Sequence, residues 1–175
     1  MCNINLCRTL GGMNRIVNKE MTLFTPYGLL GLADKTWIVK KTLLWCEENL
    51  PIHHSGFPPD FKFRSTPVGH WACYDPHYHT IVISTTEIED VRHLIRCILH
   101  EWCHSVQDLS GYDFDRGEKG GLYYTFNHLE REARSYEVVW YMVWSQLKNE
   151  LGSSPTQTES LVLWWNKLCK ETLVF

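Results

Sequence analysis

The sequence predicts an α+β domain: a short, mostly antiparallel sheet, then a helix, then a second long helix packed on the first. Three patterns carry that expectation. A β-rich stretch with turn signals spans residues 61–84. Apolar residues recur at helical spacing from Ile88 to Val106. A second apolar stripe steps along residues 127–151.

Residues 1–27, with Gly11-Gly12 and Pro26, read as an irregular arm placed to cover a groove. Residues 28–175 read as one domain, in keeping with a chain of 175 residues. The first helix is expected over 34–49. Trp37, Ile38, Leu44 and Trp45 fall at helical spacing, Asp34 can cap, and Pro51 ends the run. His53 and His54 belong to the loop that follows. Phe61 and Phe63 flank Lys62 and suggest a strand over 61–65. Val68 to Tyr74 and Thr80 to Ser84 are β-rich runs around Asp75-Pro76-His77-Tyr78, which reads as a hairpin. His77 and His79 are placed on its surface.

Thr86 with Glu89 forms a capping-box pattern, which starts the second helix there. Ile88, Val91, Ile95, Ile98, Leu99, Trp102 and Val106 sustain it, and Gly111 can stop it. In the long helix over 127–151, Leu129, Ala133, Tyr136, Trp140, Val143 and Leu147 form one continuous stripe. Gly152-Ser153-Ser154-Pro155 breaks it. A last helix is expected over 157–171, with Leu161, Trp164, Trp165 and Leu168.

Composition narrows the function. The chain is 44% hydrophobic and 13% aromatic, with eight Trp, which suits a dense core or a ring-lined groove. Its net charge of -3 and lack of basic runs disfavour nucleic acid or an anionic membrane as partner. Seven Cys without a Cys-x-x-Cys pair suit reduced thiols better than a disulfide scaffold. The first residues lack a signal-peptide pattern, and the longest apolar run, Val138 to Trp144, is far short of a membrane span. A cytoplasmic protein is the expectation.

His100-Glu101-Trp102-Cys103-His104 carries the chemistry. On a helix, residues i and i+4 lie on one face, so both imidazoles can reach one zinc ion. Glu101, offset by one residue, can sit beside the metal and take a proton from its water. Cys103 points the other way, into the core. His93 lies seven residues before His100, too far to ligate. A third protein ligand is needed. In one subclass it is a His soon after the motif, in a His-Glu-x-x-His-x-x-Gly-x-x-His pattern, but Gln107 and Ser110 rule that out. The next helix offers Glu130, Glu132 and His128. Glu130, Ala133, Arg134 and Glu137 share one helical face, and Glu132 points about 200° away from Glu130, so the two cannot both ligate. Glu130 can equally form a capping box with Asn127.

His-Glu-x-x-His followed by Glu130-Arg131-Glu132-Ala133 resembles the gluzincin metallopeptidases, among them the HtpX-type and ImmA/IrrE-type catalytic domains. The resemblance covers residues 60–140 and implies a small zincin-like fold with Glu130 as third ligand. It implies that Ala133 lets the two helices pack closely, and that Thr80 to Ser84 is the sheet edge that pairs with an extended peptide or protein substrate. Many relatives carry Asp or Asn after the Ala; this chain has Arg134.

The function expected is zinc-dependent hydrolysis of peptide bonds, with Zn2+ held by His100, His104 and Glu130 and with Glu101 as general base. Tyr112, Tyr123, Tyr124 and His128 are candidate donors to the developing oxyanion. Two alternatives stand beside it. One is a regulatory zinc module without turnover, against which the presence of Glu101 counts, because structural zinc needs no base. The other is a SprT-like peptidase with His128 as third ligand, against which the acidic balance counts.

Overall fold

The computed structural model describes residues 21–53, 56–65, 70–109 and 128–152. The class is α+β, as expected: the described residues form helices α1 (Leu32–Asn49), α2 (Val91–Val106), α3 (His128–Glu137) and α4 (Trp140–Glu150) and strands β1 (Asp60–Arg64), β2 (Ala72–Asp75) and β3 (Thr80–Ser84). No helix among the described residues is long and apolar enough to cross a membrane. The helix expected over 157–171 lies outside them.

The sheet has the order β1-β3-β2. β2 and β3 form the expected hairpin, with Asp75 Oδ1 accepting from the N–H groups of His77 and Tyr78 in the turn. β1 runs parallel to β3, so the sheet is mixed. β3 is therefore the central strand, not the edge that the family resemblance implied. Its unbroken Ile81-Val82-Ile83 run suits a strand buried between two neighbours. The edge that faces α2 is β2.

α2 is the hub of the core and packs on α1, α3, α4 and β2. Val91, Leu94, Ile95, Ile98, Leu99 and Trp102 are buried along it, each such side chain stabilising the fold by about 1.5–3 kcal/mol. The helix starts later than the Thr86 capping box suggests. The cap is Asp90, whose Oδ1 accepts from His93 N at 2.7 Å. Residues 89 and 90 are held extended by the incoming chain: Tyr27 N donates to Glu89 O, and Pro26 bridges Asp90. Met21, Leu23 and Tyr27 are buried in the same core. α2 also ends before Gly111, because Gln107 turns to extended backbone.

α1 begins at Leu32, with Asp34 at its third position accepting from Gly31 N rather than acting as the cap. It buries Ile38, Val39, Leu43, Trp45 and Cys46, while Leu44 is exposed.

The long helix expected over 127–151 is two helices. Val138 and Val139 form a turn, with Val139 N bonded to Tyr136 O and Met142 N to Val139 O. Neither glycine nor proline marks the break; a pair of β-branched residues, weak helix formers, occupies it. The turn lets α3 lie along α2 while α4 packs on both α1 and α2.

Candidate metal centre

α2 presents His100 and His104 one above the other, and α3 brings Glu130 to meet them. Ala133, fully buried, sits where the helices approach. His100 Nε2 lies 3.1 Å from His104 Nε2. Glu130 places Oε2 at 3.2 Å from His100 Nε2 and Oε1 at 3.5 Å from His104 Nε2. These ligand atoms all lie within 4.8 Å of one another, close enough to hold one metal ion. Glu130 is only 4% exposed.

The outer nitrogens of both rings are engaged. His100 Nδ1 donates to Glu137 Oε1 at 2.9 Å, and Glu137 Oε2 accepts from Arg96 Nη2 at 2.6 Å and Nε at 3.0 Å. Gln107 Nε2 donates to Leu129 O and to Glu132 Oε2, both pure acceptors, so its Oε1 must face His104 Nδ1, 2.7 Å away. With Nδ1 of each ring turned outward, the two Nε2 atoms and a carboxylate converge on one point, which protons fill in the absence of metal and a metal ion can fill in their place. Such an arrangement calls for a cation.

The charges agree. Burial disfavours a positive His100, yet hydrogen bonds with Glu130 and Glu137 outweigh it and raise the imidazole to about 10 in the metal-free protein. Burial acts the same way on His104, and the Glu130 hydrogen bond again raises it. Burial would raise the Glu130 carboxyl, but its hydrogen bonds to both histidines hold it well below the usual carboxylate range. Glu101, Glu130 and Glu137 crowd the two imidazoles, with Arg96 as counter-charge to Glu137. A divalent cation fits this donor set: two neutral imidazoles and a buried carboxylate.

Glu101 is buried beside the cluster, and its Oε2 accepts from Tyr74 N at 2.7 Å. That amide belongs to β2 and points away from β3, toward α2. The sheet edge thus touches Glu101 directly.

The remaining candidates fall as follows. His128 is exposed at the start of α3 and stands outside the metal group. Glu132 is exposed and serves Gln107. Tyr112, Tyr123 and Tyr124, like Asn127, lie outside the described residues. Cys103 and Cys97 are buried in the core and free. His93 accepts from Glu89 N and meets Trp71 edge-on. His77 is exposed, but His79 is not a bare surface residue. Its ring bonds Tyr74 Oη at 2.7 Å and Phe57 O at 3.0 Å, which holds its backbone at a φ of 47°.

Glu137, Arg96 and Gln107 were not singled out by the motif. A spacing signal existed: Arg96, His100 and His104 recur every four residues on α2, and Glu137 follows Glu130 by seven on α3. Compared with known proteins, the chain matches no family model, no curated protein and no solved structure.

Proposed function

We propose that the chain is a zinc-dependent peptidase in which His100, His104 and Glu130 hold the ion and Glu101 is the general base. The spacing of the two ring nitrogens and the Glu130 carboxylate carries this reading. A tetrahedral zinc ion with bonds of about 2.0–2.1 Å keeps its ligand atoms about 3.3 Å apart. Here the two Nε2 atoms lie 3.1 Å apart, and the nearest Glu130 oxygens lie at 3.2 Å (Oε2, from His100) and 3.5 Å (Oε1, from His104). Three protein ligands among the described residues would leave the fourth position open, the arrangement of a catalytic rather than a structural site. Glu101, one residue from a ligand and unused as one, supports hydrolysis over storage of the ion.

Bound there, zinc supplies Lewis acidity, bringing a water toward ionisation near neutral pH and polarising the carbonyl to be cleaved. Tyr74 N–H fixes Glu101 Oε2, so Oε1 is the oxygen that takes the water proton and later delivers it to the departing amine. Main-chain groups alternate along an antiparallel strand, so Ala72 and the carbonyl of Tyr74 also face away from β3. An extended peptide would lie along that edge, within reach of the base. On this reading substrate lies along β2 rather than along Thr80–Ser84.

Metal analysis of the purified chain beside a His104→Ala variant tests the first half. One zinc per wild-type chain and none in the variant is expected; equal contents, or iron in place of zinc, overturn it. Cleavage of a fluorescent unfolded casein tests the second half. Glu101→Gln is expected to keep zinc and lose turnover, and retained turnover removes Glu101 from its role.

A further inference from the structure

The two histidines are held by different chemistry. The outer nitrogen of His104 meets a neutral amide. That of His100 meets a carboxylate that is itself gripped by a guanidinium. We propose that Glu137, held by Arg96, is a positioning residue that aims His100 at the metal and sets the affinity of the site. The proposal rests on the zinc reading above.

The geometry is specific. One oxygen of Glu137 receives His100 Nδ1, while the other receives two nitrogens of Arg96. The carboxylate is thus divided between its partners and cannot rotate without losing one of them. Arg96 precedes His100 by one turn of α2, and Glu137 closes α3, so the same contact fixes the ring and ties the ligand-bearing helices together. Side-chain exposure falls from 45% at Arg96 to 17% at Glu137 and 12% at His100. The guanidinium covers the carboxylate on its solvent side, which strengthens a charge-assisted hydrogen bond. A carboxylate on the outer nitrogen fixes the tautomer and makes the inner nitrogen a better donor to metal. Arg134, at the position where an acidic or amide partner was implied, is exposed on α3.

The test is zinc affinity of the full chain, measured in competition with a chromophoric chelator. Glu137→Ala is expected to bind zinc about 10–100-fold more weakly, the range for loss of an outer partner. Glu137→Gln should lose less, because its amide oxygen still accepts from Nδ1. Arg96→Ala should weaken binding in the wild-type background and add nothing to Glu137→Ala, since it acts through that carboxylate. At saturating cobalt(II), the visible bands of Glu137→Gln should differ from wild type, a change that loosening a helix contact alone does not produce. Unchanged affinity in Glu137→Ala overturns the proposal, as do additive losses in the double variant. If Glu137→Ala does not fold, Glu137→Gln and Arg96→Ala decide it: wild-type affinity in both overturns it. Wild-type protein that takes up no zinc defeats the metal reading and this proposal with it; wild type that binds zinc beside an equally avid Glu137→Ala defeats this proposal alone.

Discussion

α3 and α4 share one apolar stripe in the sequence and do different work in the fold. α4 buries Trp140, Val143, Trp144 and Leu147 against α1 and α2. α3 buries only Leu129, Ala133 and the carboxylate of Glu130, and spends Glu132, Glu137 and the Leu129 carbonyl on the groups behind the two histidines. Buried carboxylates cost free energy unless they are paired. α3 therefore holds charge where α4 holds the core, and the turn at Val138-Val139 separates the two tasks. Substitutions in the two helices should consequently fail in different ways.

The largest effect is expected at Glu130. Glu130→Ala leaves a two-point site and should weaken zinc binding beyond the ~10–100-fold of an outer-partner loss. Glu132→Ala, which removes only a partner of Gln107, should stay within or below that range. Calorimetric zinc titration of both variants measures the gap. If Glu132→Ala abolishes binding while Glu130→Ala retains it, the ligand assignment is reversed.

Trp144→Ala is the matching substitution in α4. The ring is fully buried, and such truncations cost about 3–5 kcal/mol. Denaturant unfolding should show that loss, while the zinc affinity of the molecules still folded should stay near wild type. A Trp144→Ala protein of wild-type stability, or one that is stable but metal-free, would break the division between the helices.

The same division explains what the sequence made legible. Period and spacing are local, so α2, the hairpin and the His100-Glu101-His104 face could be read directly. Glu130 and Glu132 were readable as rival ligand candidates, because only one of two such carboxylates can face a given neighbour, and the resemblance to the gluzincins pointed to Glu130. What escaped depends on chain segments far apart. The start of α2 moved to Asp90 because Tyr27 and Pro26 pair with residues 89 and 90. β3 became central because β1, twenty residues upstream, docks parallel to it. The Tyr74 amide on Glu101 is a main-chain group, and no side-chain pattern announces it. The break at Val138-Val139 left the apolar period intact, since a turn of two residues carries the stripe across nearly in phase.

A last effect lies in the pH dependence of stability, and it separates the helices most cleanly. In the metal-free protein His100 is raised from 6.5 to about 10, chiefly because Glu130 and Glu137 outweigh its burial. A group raised on folding stabilises the native state fully below its unfolded value and loses that contribution as pH climbs through the folded one. Metal-free protein should therefore lose stability steadily between about pH 6.5 and 10. Zinc takes the place of the proton and should flatten that interval. Glu130→Ala and Glu137→Ala, both on α3, remove the carboxylates that raise His100 and should reduce the slope without metal. Trp144→Ala, on α4, should lower the whole curve and leave its slope unchanged, because the ring has no part in the proton balance. Denaturant midpoints across that pH interval, with and without zinc, read all of these. A slope that survives Glu130→Ala, or that Trp144→Ala removes, would show that the charge held by α3 and the core held by α4 are not separate.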